Sequence, residues 1–262
     1  MTAQPLTHRL DRTVLIEAEP ETVFRFFTDS GRWAAWWGAG SEIDARPGGR
    51  VLVRFPNGVE GGGEVTEIDP PRRIAFTFGY SNGMPMPIGS SLVEIVLEPR
   101  AHATRLKLVH LFADASARDE HVQGWRYQFS VFGNVVAEEA FARAADSVDA
   151  WFAAWTDPQA DTREALVKKI AMPDILFRDR FSLVDGLADL LPHLAAVHRF
   201  MPGMRMARDG SIRHCQGTVL ADWIARSPEG QERGRGTNVF VLRPDGRIAS
   251  VTGFWAASPQ GA

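Results

Sequence analysis

The sequence predicts two consecutive α+β domains, and three observations carry that prediction. A chain of 262 residues is long for a single core and of ordinary size for two. Its first half reads as strands separated by turn signals and closed by one long amphipathic helix. From about Asp146 the order starts afresh, with helices first and a run of strands after them.

The first domain is placed at residues 1–140. "RLDRTVLIE" is a strand, and "PETVFRFFTD" starts a helix with Pro20 in its first turn and apolar Val23, Phe24, Phe26 and Phe27. In "RWAAWWGAG" that follows, Trp33, Trp36 and Trp37 stand at i, i+3 and i+4, one face of a short helix. Each indole can bury roughly 150–250 Å², so the cluster closes a core, walls a cavity, or does both. "GRVLVRF", "GEVTEID", "RRIAFTFGY", "SLVEIVLEP" and "ATRLKLVHLF" then form an antiparallel meander, punctuated by "PGG", "PNG", "DPP" and "PRAH". In the last of these, Thr104, Leu106, Leu108, His110 and Phe112 share a face opposite Arg105 and Lys107. A cover for that face comes next, because Val122, Trp125, Phe129, Phe132 and Val136 recur at steps of three and four from Asp119 onward.

"RWAAWWG", "IDARPGGRVLVRF", "GGGEVTEIDPPRRIAFTF" and "DEHVQGW" together resemble the START-like (SRPBCC) superfamily, in the branch named after activators of a heat-shock ATPase, over residues 9–137. The resemblance implies a helix-grip fold with an apolar cavity between sheet and long helix. Its expected ligand-binding wall is Trp33, Trp36 and Trp37 from the short helix, Leu106, Leu108 and His110 from the strand, and Trp125 and Phe129 from the covering helix. His121 and Trp125 match the family's "H..GW" signature, for which a packing role suffices. His110 and His121 can act as bases near neutral pH or serve as hydrogen-bonded structural groups; no nucleophile is placed with them. Nothing in the sequence identifies a chaperone-docking surface.

The second domain is placed at residues 141–262. Its boundary near Phe141 falls in "VVAEEAFARAADSVDAW", alanine-rich and helical throughout, which predicts a nearly continuous helix across the join. "SVDAWFAAW" and "DTREALVKKI" are helices, "DILFRDR" is a short strand, and "DGLADLLPHLAAVHRF" is a third helix that Pro192 kinks or shortens. "MRMARDGSIRH", "GTVLADWIAR", "GTNVFVLRPDG" and "RIASVTGFW" complete a sheet, with "RDG" and "RPDG" as turns.

That order, closed by "GRGTNVFVLRPDGRIASVTGFW", resembles the nuclear transport factor 2-like superfamily in its SnoaL-like polyketide-cyclase branch, over residues 146–256. The resemblance implies a cone-shaped α+β barrel with a pocket at its open end, and a homodimer formed through this domain. Strand alternation and the family's inward-facing positions give a ligand-binding wall of Trp223, Asn238, Phe240 and Phe254. His193, His214 and Asp179 are the candidate catalytic groups at its mouth. A ketosteroid-type isomerase would need a tyrosine donor here, but Tyr80 and Tyr127 both lie in the first domain. A water-activating Asp–Arg–Asp arrangement is disfavoured too, because Asp222 is out of phase with Trp223 and Asn238, an amide, takes no proton.

Composition narrows the partners. Against 32 acidic residues stand 29 basic ones, a net charge of −3, which leaves no electrostatic footprint for nucleic acid or an anionic membrane. "MTAQPLTHRLDR" lacks the apolar run of a secretory signal, so the expected location is cytoplasmic. Lone Cys215 forbids an intramolecular disulfide and reads as a small buried hydrophobe. His193 and His198, five apart on a helix, face different ways, and neither a metal nor a cofactor is expected. The function that follows is binding of small hydrophobic molecules, aromatic or polyketide-like, in one or both cavities. The alternatives are a cyclase, dehydratase or isomerase with its site in the second domain, and a protein-interaction or chaperone-assisting module presenting an exposed apolar patch.

Overall fold

Asp29 starts the tryptophan helix α2 (Ser30–Trp37), its carboxylate accepting the Arg32 backbone N–H at 2.9 Å. α1 (Pro20–Arg25) precedes it with Pro20 in its first turn. Both belong to the first of two compact units, Met1–Ala140 and Phe141–Ala262, in a computed structural model that describes residues 5–256.

The strands of the first unit are β1 (His8–Ile16), β2 (Glu42–Ile43), β3 (Arg50–Arg54), β4 (Glu60–Asp69), β5 (Arg73–Phe78), β6 (Ser91–Arg100) and β7 (Ala103–Phe112). They form one antiparallel sheet in the order β1-β7-β6-β5-β4-β3-β2. β4 runs through three glycines, Gly61, Gly62 and Gly63, starting earlier than the "GEVTEID" strand read in the sequence. The strand is possible because they are glycines: a Cβ at Gly63 would lie 2.0 Å from the Thr77 carbonyl oxygen, and one at Gly62 2.2 Å from that of Val51. On β7 the alternation is complete, with Thr104, Leu106, Leu108, His110 and Phe112 all buried. α3 (Ala115–Ala140) covers this face with Trp125, Phe129, Phe132 and Val136, the helix-grip arrangement.

The expected continuous helix across the join is interrupted. α3 ends at Ala140 and α4 (Ala144–Thr156) begins only after a turn at residues 141–143, closed by the Ala144 N–H on the Phe141 carbonyl at 2.9 Å. Helix propensity alone does not decide here, because Phe141 is buried against the His214 ring, 5.2 Å between centroids.

In the second unit α4 is followed by α5 (Ala160–Ile170), β8 (Ala171–Arg178), β9 (Leu183–Asp185) and α6 (Leu187–Phe200). Pro192 lies inside α6, which continues for two turns beyond it, so the helix is not shortened. β10 (Arg205–Arg208), β11 (Arg213–Cys215), β12 (Thr218–Arg226), β13 (Glu232–Leu242) and β14 (Ile248–Trp255) complete the sheet, ordered β10-β12-β13-β14-β8-β9 with β11 beside β12. The sheet stays open, with β10 and β9 as edges, and only β14–β8 is a parallel pair. Thr156 ties α4 to β10: its hydroxyl donates to the Met206 carbonyl at 3.1 Å and accepts the Met206 N–H at 3.0 Å. Cys215 is exposed, correcting its expected burial; it ends the short strand β11. Among the described residues no helix is long and apolar enough to cross a membrane.

Candidate functional site

The second unit is hollow. Between α4, α6 and the sheet lies a cavity of about 370 Å³, within the range of small-molecule sites. Trp151 and Trp155 of α4, Trp223 of β12 and Trp255 of β14 stand in its wall, with Phe177 of β8 and Met206 of β10. The rings hold each other in edge-to-face pairs, Trp223–Trp255 at 4.9 Å and Trp151–Phe177 at 5.5 Å.

A few polar groups reach this apolar space. Asn238 is only 5% exposed, lines the cavity, and its side chain makes no hydrogen bond to any described residue. β13 brings it opposite Gly253 of β14, where a Cβ would fall 3.1 Å from both the Asn238 Oδ1 and the Asp179 Cβ. Gly253 therefore lets the amide and the aspartate approach one another. Asp179, just after β8, accepts the Phe181 N–H at 2.8 Å and the Trp255 Nε1–H at 3.0 Å, one on each carboxylate oxygen. It fixes the orientation of Trp255. His193 of α6 packs against both the Trp155 and Phe177 rings, with its Nε2 3.2 Å from the Ser182 hydroxyl.

The expected His–Asp pair does not form, because His193 and Asp179 have separate partners. His214 is not in the cavity wall; its Nε2 accepts the Gly217 backbone N–H at 3.0 Å and so closes the β11–β12 turn. Phe240 is fully buried away from the wall, edge-on to Trp151 and Phe152. Phe254 is 58% exposed and points to the outer face, where it is paired with Thr237. Its neighbour Trp255, paired with Gly236, takes the inward place. A register shift between β13 and β14 at Val241/Leu242 puts the strand one residue out of the phase the sequence suggested. Trp151 and Trp155 were visible in the sequence as an i, i+4 pair, whereas Trp255 reaches the inward face only through that register shift. Asp222 lies on the opposite face, accepting the Thr237 hydroxyl at 2.5 Å.

The first unit is filled. Trp33, Trp36, Leu106, Leu108 and Phe129 belong to a continuous core, with the His110 ring fully buried beside Phe112 and Trp125. Trp33 donates to the Leu52 carbonyl at 3.1 Å and Trp36 to that of Phe26 at 3.2 Å. A pocket beside Trp37 and Trp125 is small, about 70 Å³. The expected ligand cavity in this unit is thus closed by its own rings.

Two of its histidines, His110 and His121, are buried in hydrogen bonds that use the neutral ring. Trp125 Nε1–H donates to His110 Nδ1 at 3.0 Å, so the ring hydrogen is on Nε2 and goes to the Ser91 hydroxyl at 2.8 Å, which donates onward to the Phe78 carbonyl at 2.9 Å. Burial, with His121 as a second influence, holds His110 well below the usual histidine range. His121 gives its Nδ1–H to the Ala117 carbonyl at 2.7 Å and accepts from the Tyr80 hydroxyl at 3.1 Å. Burial lowers His121 and pushes Tyr80 up to about 12, so each keeps its role across the neutral range. Among the described residues no three histidine, cysteine or carboxylate side chains gather as metal ligands.

Residues 17–137 match the family model described as Activator of Hsp90 ATPase homolog 1-like protein. No curated protein matches the chain. Among solved structures, a SnoaL-like family protein from Agrobacterium tumefaciens is 23% identical, covering 44% of this chain and 99% of its own, with a TM-score of 0.42. CalU16 from Micromonospora echinospora is 22% identical over 51% of this chain and 79% of its own, TM-score 0.42. The Aha1 dimer from Colwellia psychrerythraea is 16% identical over 48% of this chain and 93% of its own, TM-score 0.40. The chain is thus similar, over residues 17–137, to the Activator of Hsp90 ATPase homolog 1-like family.

Proposed function

We propose that this protein binds a small, mostly apolar molecule, and that it does so in the second unit alone. The cavity of about 370 Å³ walled by four of the chain's eight indoles carries the proposal. Flat aromatic or alicyclic ligands suit such walls, since ring faces and edges stack without needing fixed hydrogen bonds. His193 with Ser182, and Asn238, supply the few directional contacts that orient the ligand. With Asp179 committed to Trp255 and Phe181, a general base built from a His–Asp pair has no support, and binding is the simpler function of the site.

A neutral dye, N-phenyl-1-naphthylamine, tests this in the full chain. Its emission should rise saturably, excited by transfer from the cavity tryptophans. Ala225→Phe, which adds a ring to the cavity wall, should abolish the signal while the melting curve stays cooperative. Absence of saturable binding, or binding indifferent to Ala225→Phe, would overturn the proposal.

A further inference from the structure

One cation faces the cavity with no carboxylate of its own. Arg233 stands near the start of β13, solvent-exposed yet part of the cavity wall, which places it at the rim. Among the described residues it makes no hydrogen bond and no ion pair within 4 Å. Its neighbours differ: Arg235 is held by both oxygens of Glu232, at 2.6 and 2.7 Å, and Arg208 by both of Asp149, at 2.7 and 2.9 Å. Among the described residues no acid makes an ion pair with Arg233 within 4 Å, although Glu229 attracts it. Glu232 serves Arg235, and Asp179 serves Trp255 and Phe181.

Other polar groups of the wall also lack protein partners: the buried Trp155 and Trp223 indole N–H groups, and Asn238, five positions further along the same strand. Five residues of strand span roughly 16 Å. An arginine reaching inward from one end leaves a ring-sized apolar stretch before the amide, and the four indoles flank that stretch. The site therefore offers an anion hold, an apolar body and a neutral polar end. A guanidinium matches a carboxylate in two parallel hydrogen bonds, and at the rim of a low-dielectric cavity it also draws anions toward the entrance.

We infer that the cavity takes an aromatic or alicyclic carboxylate, its acid group held by Arg233. This rests on the binding function proposed for the same cavity and names the ligand class. The test compares 1-naphthoate with its methyl ester, which keeps the rings and removes the charge, by tryptophan quenching in the full chain and in Arg233→Gln. Wild type should bind the acid about tenfold more tightly than the ester, with the preference shrinking as salt is raised. In Arg233→Gln the two should bind alike, at the affinity the ester has in wild type. Equal affinities in wild type, or a preference that survives Arg233→Gln, would overturn the inference and leave the cavity's binding function standing. If the neutral dye binds and neither naphthalene compound does, the carboxylate class is likewise overturned. Failure of dye, acid and ester together would remove both.

Discussion

In the first unit Trp33, Trp36, Trp37 and Trp125 interlock, with ring centroids 4.6 to 5.6 Å apart, and close a core with a pocket of only about 70 Å³ beside Trp37 and Trp125. In the second, Trp151, Trp155, Trp223 and Trp255 stand around about 370 Å³ of open space. Both units set a sheet against helices and both are given four indoles, so neither architecture nor aromatic content decides which is hollow. What differs is the filling. Phe27, Phe76, Phe78 and Phe132 pack around the first unit's indoles, and Gln128 of α3 donates to the Trp36 carbonyl. Across the second unit's cavity the facing positions carry flexible Met201, Met204 and Met206 and small Ala225, which leave the centre empty.

Truncating one ring in each unit gives the largest contrast. Trp33 is fully buried, and Trp33→Ala should cost about 3–5 kcal/mol. Trp255 has one side on the cavity and already lacks neighbours there, so Trp255→Ala should cost about 1–2 kcal/mol. Hydrogen exchange read on peptides of each unit separates the two losses. Equal losses would mean that the second unit's indoles pack as tightly as the first's, and the contrast would be gone.

Acid should weaken the packed unit next. His110 is neutral in the fold and held well below the usual range, whereas in the unfolded chain it protonates near pH 6.5. Below that pH the unfolded state binds a proton that the folded state refuses. The contribution of His110 is therefore fully present above about pH 6.5 and is lost as pH falls, by up to about 1.4 kcal/mol per pH unit until the folded value is reached. His121, lowered by burial, adds in the same direction. Urea unfolding followed by first-unit exchange protection at pH 7, 6 and 5 checks this; an unchanged midpoint would show that water or a rearrangement admits the charge.

The meander, the long covering helix and the buried face of β7 were legible because each follows from the period of side chains along one element. The void was not, since alternation says which way a residue points and nothing about whether opposing side chains meet. Trp33 and Trp151 look alike in the sequence, each in a cluster at helical spacing, and they end on opposite sides of that distinction. Phe254 and Trp255 fail for a second reason: a register shift between β13 and β14 exchanges their faces, and no local propensity marks it. Arg233 went unnoticed because one arginine among many gains meaning only when its neighbours are seen to be paired.

The smallest predicted effect has the least expected sign. The Asn238 amide faces a mostly apolar cavity wall, where its hydration is poorer than in bulk water and no protein group replaces it. Asn238→Leu keeps the shape and removes the polar atoms, so the unliganded protein should gain about 1 kcal/mol in denaturant unfolding, read on peptides of the second unit. The same substitution should weaken ligands that carry a carbonyl or hydroxyl on the ring body, while the unsubstituted naphthoate, held by Arg233, binds nearly as before. No comparable gain is available among the first unit's buried polar groups His110 and Ser91, where removing either leaves its partner unsatisfied. A loss of stability in Asn238→Leu would mean that the amide serves the fold of the second unit, and the two units would then treat their buried polar groups in the same way.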